Sequence, residues 1–110
     1  MSDAKNAEWH RVAKTSEVTD DEPKAVQVGT DYIALFKVDG TFYATDDICT
    51  HEFASLSEGF VEGDVIECPL HAGQFHIPTG KALSPPVEED LRTFPVKVEG
   101  DDIYVQVPKG

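Results

Sequence analysis

The chain holds only two cysteines, and each has a histidine within three positions: Cys49 and His51 in "CTH", Cys68 and His71 in "ECPLHAGQF". Cys-x-His and Cys-x-x-His each let one tight loop present two ligands to a single centre, and two such loops supply four. Sixteen residues separate His51 from Cys68. If the four residues share a centre, the fold must return the chain between them and hold two loops side by side. Pro69 fixes φ and removes a donor, which helps shape the second loop.

The sequence on either side reads as strands. Trp9–Lys14 is a short first strand and Thr15–Pro23 a turn-rich acidic loop; Lys24–Val28, Tyr32–Val38 and Thr41–Thr45 follow as three strands. Asp39-Gly40 between β-formers is a strong hairpin signal. Near the C-terminus Phe94, Val96 and Val98 alternate with polar or turn residues, Gly100 makes a turn, and Ile103, Val105 and Val107 fall on one face. Between the hairpins, about Ile48 to Pro86, Gly and Pro punctuate short strands at Val65–Cys68 and Gln74–Ile77. No long amphipathic helix is written anywhere. The expectation is an all-β framework at both ends with a loop-built insertion that holds both cysteines and three of the four histidines.

At 110 residues the chain is one domain, able to bury about two-thirds of its unfolded surface. A formal charge of −12 repels nucleic acid and anionic lipid and favours partners with basic patches. No apolar run is long enough for a membrane span and no signal peptide is evident, so the cytoplasm is expected, where thiols stay reduced. Three plainer accounts compete with a redox centre. Chance pairing would leave the cysteines as small buried hydrophobes. A Cys49–Cys68 disulfide ignores the histidines and the compartment. A structural Cys₂His₂ zinc site satisfies the ligand count, although zinc fingers usually pair Cys with Cys and His with His. Loops that each mix one Cys and one His suit a two-iron centre, because each loop can then touch both metals.

The pattern Cys49-x-His51 with Cys68-x-x-His71 resembles the Rieske [2Fe–2S] motif, and the likeness extends from "FYATDDICTHEF" through "DDIYV", most of the chain. It is similar to the small ferredoxins of bacterial aromatic ring-hydroxylating dioxygenase systems, of the naphthalene and biphenyl type. That resemblance implies a Rieske fold: an antiparallel β-sandwich base (8–47 and 87–108) with a small cluster-binding subdomain (about 48–86) inserted. It implies one [2Fe–2S] cluster, with Cys49 and Cys68 on the inner iron and His51 and His71 on the outer. It further implies a one-electron carrier without catalysis of its own, a monomer that docks transiently on a flavin-containing NAD(P)H reductase and on a terminal oxygenase, in aromatic hydrocarbon catabolism. The alternative is a Rieske-like small subunit of a larger oxidoreductase such as a nitrite reductase; a zinc interaction module stands third.

Departures from the respiratory Rieske proteins bear on the potential. Those proteins carry an extra cysteine in each cluster loop, where the second-loop position here is Leu70. They also place hydroxyl donors where this chain has Gly73 and Phe75. Fewer donors leave the reduced cluster less stabilised, so the potential is expected near the low end of the Rieske range, about −150 mV. Eight acidic residues and no Lys or Arg between Val38 and Gly80 push the same way. Pro85 and Pro86 resemble the loop that covers the cluster in Rieske folds. Thr79-Gly80 reads as a tight turn, and His76 as a surface or core residue, not a ligand. His10 has no chemistry nearby. Trp9, Tyr32, Phe36, Phe42 and Tyr43 are expected in or half within the core. Glu52, Glu58, Glu62, Asp64 and Glu67 are expected to guide docking, with Phe53 and Leu70 as apolar contacts at the tip.

Overall fold

A computed structural model describes residues 7–20, 22–48, 55–69, 73–83 and 90–108. Their strands are β1 (Ala7–Lys14), β2 (Lys24–Val28), β3 (Asp31–Val38), β4 (Thr41–Asp46), β5 (Phe60–Glu62), β6 (Val65–Glu67), β7 (Gln74–His76), β8 (Thr93–Phe94), β9 (Val96–Glu99) and β10 (Asp102–Pro108). They form three antiparallel sheets with orders β1-β10-β9, β2-β3-β4-β8 and β5-β6-β7. The all-β expectation holds; the described helical residues are two short 3₁₀ turns, Thr15–Glu17 and Leu56–Glu58.

The β3–β4 turn shows why the sequence signal was strong. Asp39 and Gly40 both have positive φ, 51° and 81°, the conformation that a two-residue hairpin turn needs to match strand twist. In β3 the run Ile33-Ala34-Leu35-Phe36 is buried throughout, as it must be when both faces of a strand are covered. Ile33 and Leu35 join Ile103, Val105, Val107, Ala44 and Phe94 in the core of the sandwich. Ala34 and Phe36, pointing the opposite way, join Leu56, Ile66, Cys68, Phe75, Ile77 and Leu91 in a second core. One strand thus walls two cores, and the second underlies the Cys68 loop.

Several expectations are corrected. Phe94, Val96 and Val98 do not form one face of one strand: Pro95, which has no N–H to donate, separates β8 from β9, and the two strands pair in different sheets. Phe94 is buried while Val98 is 44% exposed. Phe60–Glu62 is a strand that was not expected, and β6 and β7 each stop one residue earlier than expected, at Glu67 and His76. Trp9 and Tyr32 are exposed; Trp9 lies on edge strand β1 with the Lys97 ammonium 4.7 Å from its ring, a contact that favours a half-wet aromatic.

Candidate metal centre

Of the four candidate ligands the structure describes Cys68. Cys49, His51 and His71 lie outside the described residues, as do Leu70, Pro85, Pro86, Glu52 and Phe53. Cys68 directly follows β6 and is 1% exposed. Its N–H donates to the Gly73 carbonyl at 2.7 Å, which closes the chain across residues 69–72. Gly73 is buried, and Phe75 packs in the same core as Cys68.

The base of the first Cys/His segment is closed as firmly, by residues that the sequence did not single out. Asp47 is 2% exposed. Its carbonyl accepts the Leu56 N–H at 2.6 Å, its own N–H donates to the Tyr32 carbonyl at 2.9 Å, and its Oδ1 accepts the Ser57 N–H at 2.9 Å. Ile48 and Ser55 bridge beside it. A buried carboxylate is tolerated where backbone donors meet it. Gly59 then lets the Leu56–Glu58 turn lie against the end of β6, since any side chain there would collide with the Glu67 carbonyl. Leu56 and Cys68 share one core, so the bases of both Cys/His segments rest on it.

A third closure flanks residues 84–89. The Ala82 N–H donates to Asp90 Oδ1 at 2.9 Å, Leu83 N–H to the Gln74 carbonyl at 2.8 Å, and Leu91 N–H to the Gly80 carbonyl at 2.7 Å. Gly80 takes φ +75° with the Leu91 carbonyl where a Cβ would stand, as the expected tight turn requires. Arg92 ties this closure to the first: its backbone exchanges hydrogen bonds with Asp46, and its guanidinium reaches Asp46 Oδ1 at 2.8 Å and Asp31 Oδ1 at 3.1 Å. Those side-chain bonds, Asp46 first and Asp31 second, hold the Arg92 pKa above its ordinary value against the opposing effect of burial.

His76 is half-buried and meets two side chains. Its Nε2 is 2.9 Å from Asp64 Oδ2 and its Nδ1 2.8 Å from Thr79 Oγ1, so it ties β7 to the β5–β6 turn. Among the described residues no three metal-ligating side chains gather; three of the four candidate ligands lie outside them. What is described fits an iron–sulfur group. Cys68 is sheltered from water in an apolar core, where a thiolate needs a metal to compensate its charge, and its loop is closed by main chain. Gly59 reads in the sequence only as a turn residue, and Asp47 and Arg92 carried no signal, because their partners lie well away in the chain.

The family model of the Rieske [2Fe-2S] domain matches residues 8–95. The ferredoxin component of the naphthalene 1,2-dioxygenase/salicylate 5-hydroxylase systems of Ralstonia sp is 46% identical over 99 residues, 90% of this chain and 95% of that protein. Among solved structures, the Sphingomonas yanoikuyae B1 ferredoxin superposes with a TM-score of 0.88 at 36% identity, covering 92% of this chain and 100% of that one. A complex of reduced oxygenase and oxidised ferredoxin in carbazole 1,9a-dioxygenase includes a chain that superposes with a TM-score of 0.85 at 42% identity, covering 93% and 95%.

Proposed function

The chain belongs to the Rieske [2Fe–2S] family, and from that premise we propose that it is the ferredoxin of a multicomponent aromatic-ring dioxygenase. It takes single electrons from a flavin-containing NAD(P)H reductase and gives them to a terminal non-haem iron oxygenase. It is an electron-transfer component, not an enzyme. The observation that carries this reading is the 46% identity across 90% of the chain and 95% of a dioxygenase ferredoxin component. A cytoplasmic location agrees with the need for reduced thiols, and among the described residues no helix is long and apolar enough to cross a membrane.

When bound, a Rieske [2Fe–2S] cluster accepts and returns one electron at a potential between about −150 and +300 mV. In this chain Cys49 and Cys68 would hold one iron, and His51 and His71 the other. Cys68 keeps its thiolate out of water, and its N–H fixes the loop through Gly73. Phe75, fully buried beside Cys68, brings no hydroxyl to the site, which agrees with a potential at the low end. The ring nitrogens of His51 and His71 that face away from the iron would hold protons, and a nearby negative charge raises the pKa of such rings. We take 8–47 and 87–108 as the base and about 48–86 as the cluster-binding subdomain; in support, β5, β6 and β7 fall in the latter and the other strands, Ala7 apart, in the former. Pro85 and Pro86 would cover the cluster.

A redox titration followed by electron paramagnetic resonance tests the reading. A rhombic Rieske signal with a midpoint near about −150 mV, falling at alkaline pH, is expected. A midpoint well above zero would remove the Gly73 and Phe75 argument. A colourless protein containing zinc and no sulfide would end the electron-carrier reading. Turnover with reductase and oxygenase should slow as salt rises, because surface charges steer the encounter.

A further inference from the structure

The three-stranded sheet has two kinds of row across it. Val61, Ile66, Phe75 and Ala82 stand opposite one another and pack inward on the second core. The adjacent row is Phe60, Glu67, Gln74 and Leu83: Phe60 pairs with Glu67, Glu67 with Gln74, and the Leu83 N–H donates to the Gln74 carbonyl at 2.8 Å. Successive residues of a strand point to opposite faces, and residues directly opposite share one. This second row therefore faces outward, one residue before Cys68.

Its two ends are apolar and wet. Phe60 is 65% exposed and Leu83 is 47% exposed. Scattered exposed hydrophobes need no explanation, but these two terminate one row, roughly 14 Å apart by strand spacing. Between them Glu67 Oε1 lies 3.4 Å from Gln74 Nε2. Glu58 and Glu62 flank Phe60 in the chain as exposed carboxylates, and Asp64, also exposed, pairs with His76. No Lys or Arg occurs between Val38 and Gly80; Lys81 stands in the far row, opposite His76. Apolar anchors on a segment that carries one charge sign are the composition of a protein-docking face.

We infer that the outer face of this sheet, anchored by Phe60 and Leu83, is a docking surface for the terminal oxygenase, which offers an apolar contact rimmed by Lys or Arg. The inference rests on the electron-carrier reading, and the oxygenase is chosen because a 42% identical ferredoxin forms such a complex. Glu67 of this row directly precedes Cys68, so a partner seated here lies beside a residue that would hold the cluster. Phe60 and Leu83 supply the contact, and the carboxylates set the orientation of approach.

The test uses the full holoprotein, photoreduced, mixed in stopped flow with the oxidised oxygenases of carbazole 1,9a-dioxygenase and of naphthalene 1,2-dioxygenase. Phe60→Ser and Leu83→Ser should each raise the concentration of ferredoxin for half-maximal electron delivery by about tenfold, with the limiting rate, visible spectrum and midpoint potential unchanged. Val98→Ser, 44% exposed on the other side of Pro95, should change nothing. Reduction of both variants by a naphthalene-system reductase with NADH should match the wild type. Equal half-saturation for variants and wild type would overturn the inference. A loss confined to the reductase step, or equal for both partners, would overturn the choice of the oxygenase. Failure of the wild type to reduce either oxygenase would instead remove the electron-carrier reading beneath it.

Discussion

The sandwich and the three-stranded sheet reach order by different routes. In the sandwich, strands of up to eight residues meet across turns closed by residues of positive φ, and the core is supplied almost wholly by the strands themselves. In the smaller sheet each strand has three residues, and half of its core, Leu56, Cys68, Ile77 and Leu91, comes from outside strands. Such short strands are marginal by themselves. Their stability depends on main-chain closures at Asp47, Cys68 and Gly80 and on the metal group that the Cys/His loops would hold. The first region adds to its local hairpins the pairing of β1 with β10 from the two ends of the chain; the second is a meander of consecutive strands whose core is completed by residues from outside them.

Loss of the cluster should separate the two regions most completely. Cys68→Ala is expected to abolish the visible iron–sulfur spectrum, since metal binding and local folding are coupled. Hydrogen exchange should then accelerate at Ile66 and Phe75 while Ile33, Leu35, Ile103 and Val105 stay protected. Uniform exchange across the chain would break the comparison. A sharper division is available on β3. Leu35→Ala and Phe36→Ala each open a cavity, at about 2–5 and 3–5 kcal/mol respectively, but on opposite faces. Leu35→Ala should lower the thermal midpoint with an unchanged paramagnetic signal. Phe36→Ala should also broaden that signal and speed cluster release, because Phe36 packs in the core of Cys68.

This division also explains what the sequence disclosed. Asp39-Gly40 and the alternation of Ile103, Val105 and Val107 are local signals, and the structure follows them. The Phe94–Val98 alternation misled because Pro95 hands the chain from one sheet to another, a change of partner that periodicity does not record. Exposure of Tyr32 and Trp9 likewise depends on what each strand packs against, not on β propensity. Phe60–Glu62, three residues long, was too short to show a period. At the site, Cys49, His51, Cys68 and His71 stand out as candidate ligands because metal chemistry dictates such spacing. Asp47 does not, since its side chain acts on Ser57, ten residues on, and Arg92 reaches Asp46 across 46 residues.

Two glycines with the same hand should respond unequally. Gly100, at φ +63°, has open space around its missing Cβ, so Gly100→Ala meets only left-handed strain, about 1 kcal/mol. Gly80, at φ +75°, adds a collision with the Leu91 carbonyl, so Gly80→Ala should cost about 3 kcal/mol. Urea unfolding of the holoprotein measures both. Gly80→Ala should also release the cluster faster; equal midpoints for the two variants would mean that the third closure contributes no more than an ordinary turn.

The smallest effect is expected at Arg92, where the two regions are joined. Its guanidinium contacts Asp46 and Asp31, and its N–H and carbonyl separately bond to Asp46. The side chain is 59% exposed, so solvent screens the ion pairs and their share is about 1 kcal/mol or less. Arg92→Met keeps the main-chain bonds and should lower stability by that amount at low salt, with the difference shrinking as salt is added. The raised Arg92 pKa means that the group stays charged, and its contribution intact, until strongly alkaline pH. Asp46→Ala removes the acceptor of the Arg92 N–H as well as the first of the two carboxylates that the guanidinium meets, so it should cost more than Arg92→Met, although Asp31 stays. If the two variants are equal, the Arg92 N–H bond to the Asp46 carboxylate adds nothing beyond the charge pair, and the main-chain share of this junction lies in the Asp46 N–H bond to the Arg92 carbonyl, which both variants keep.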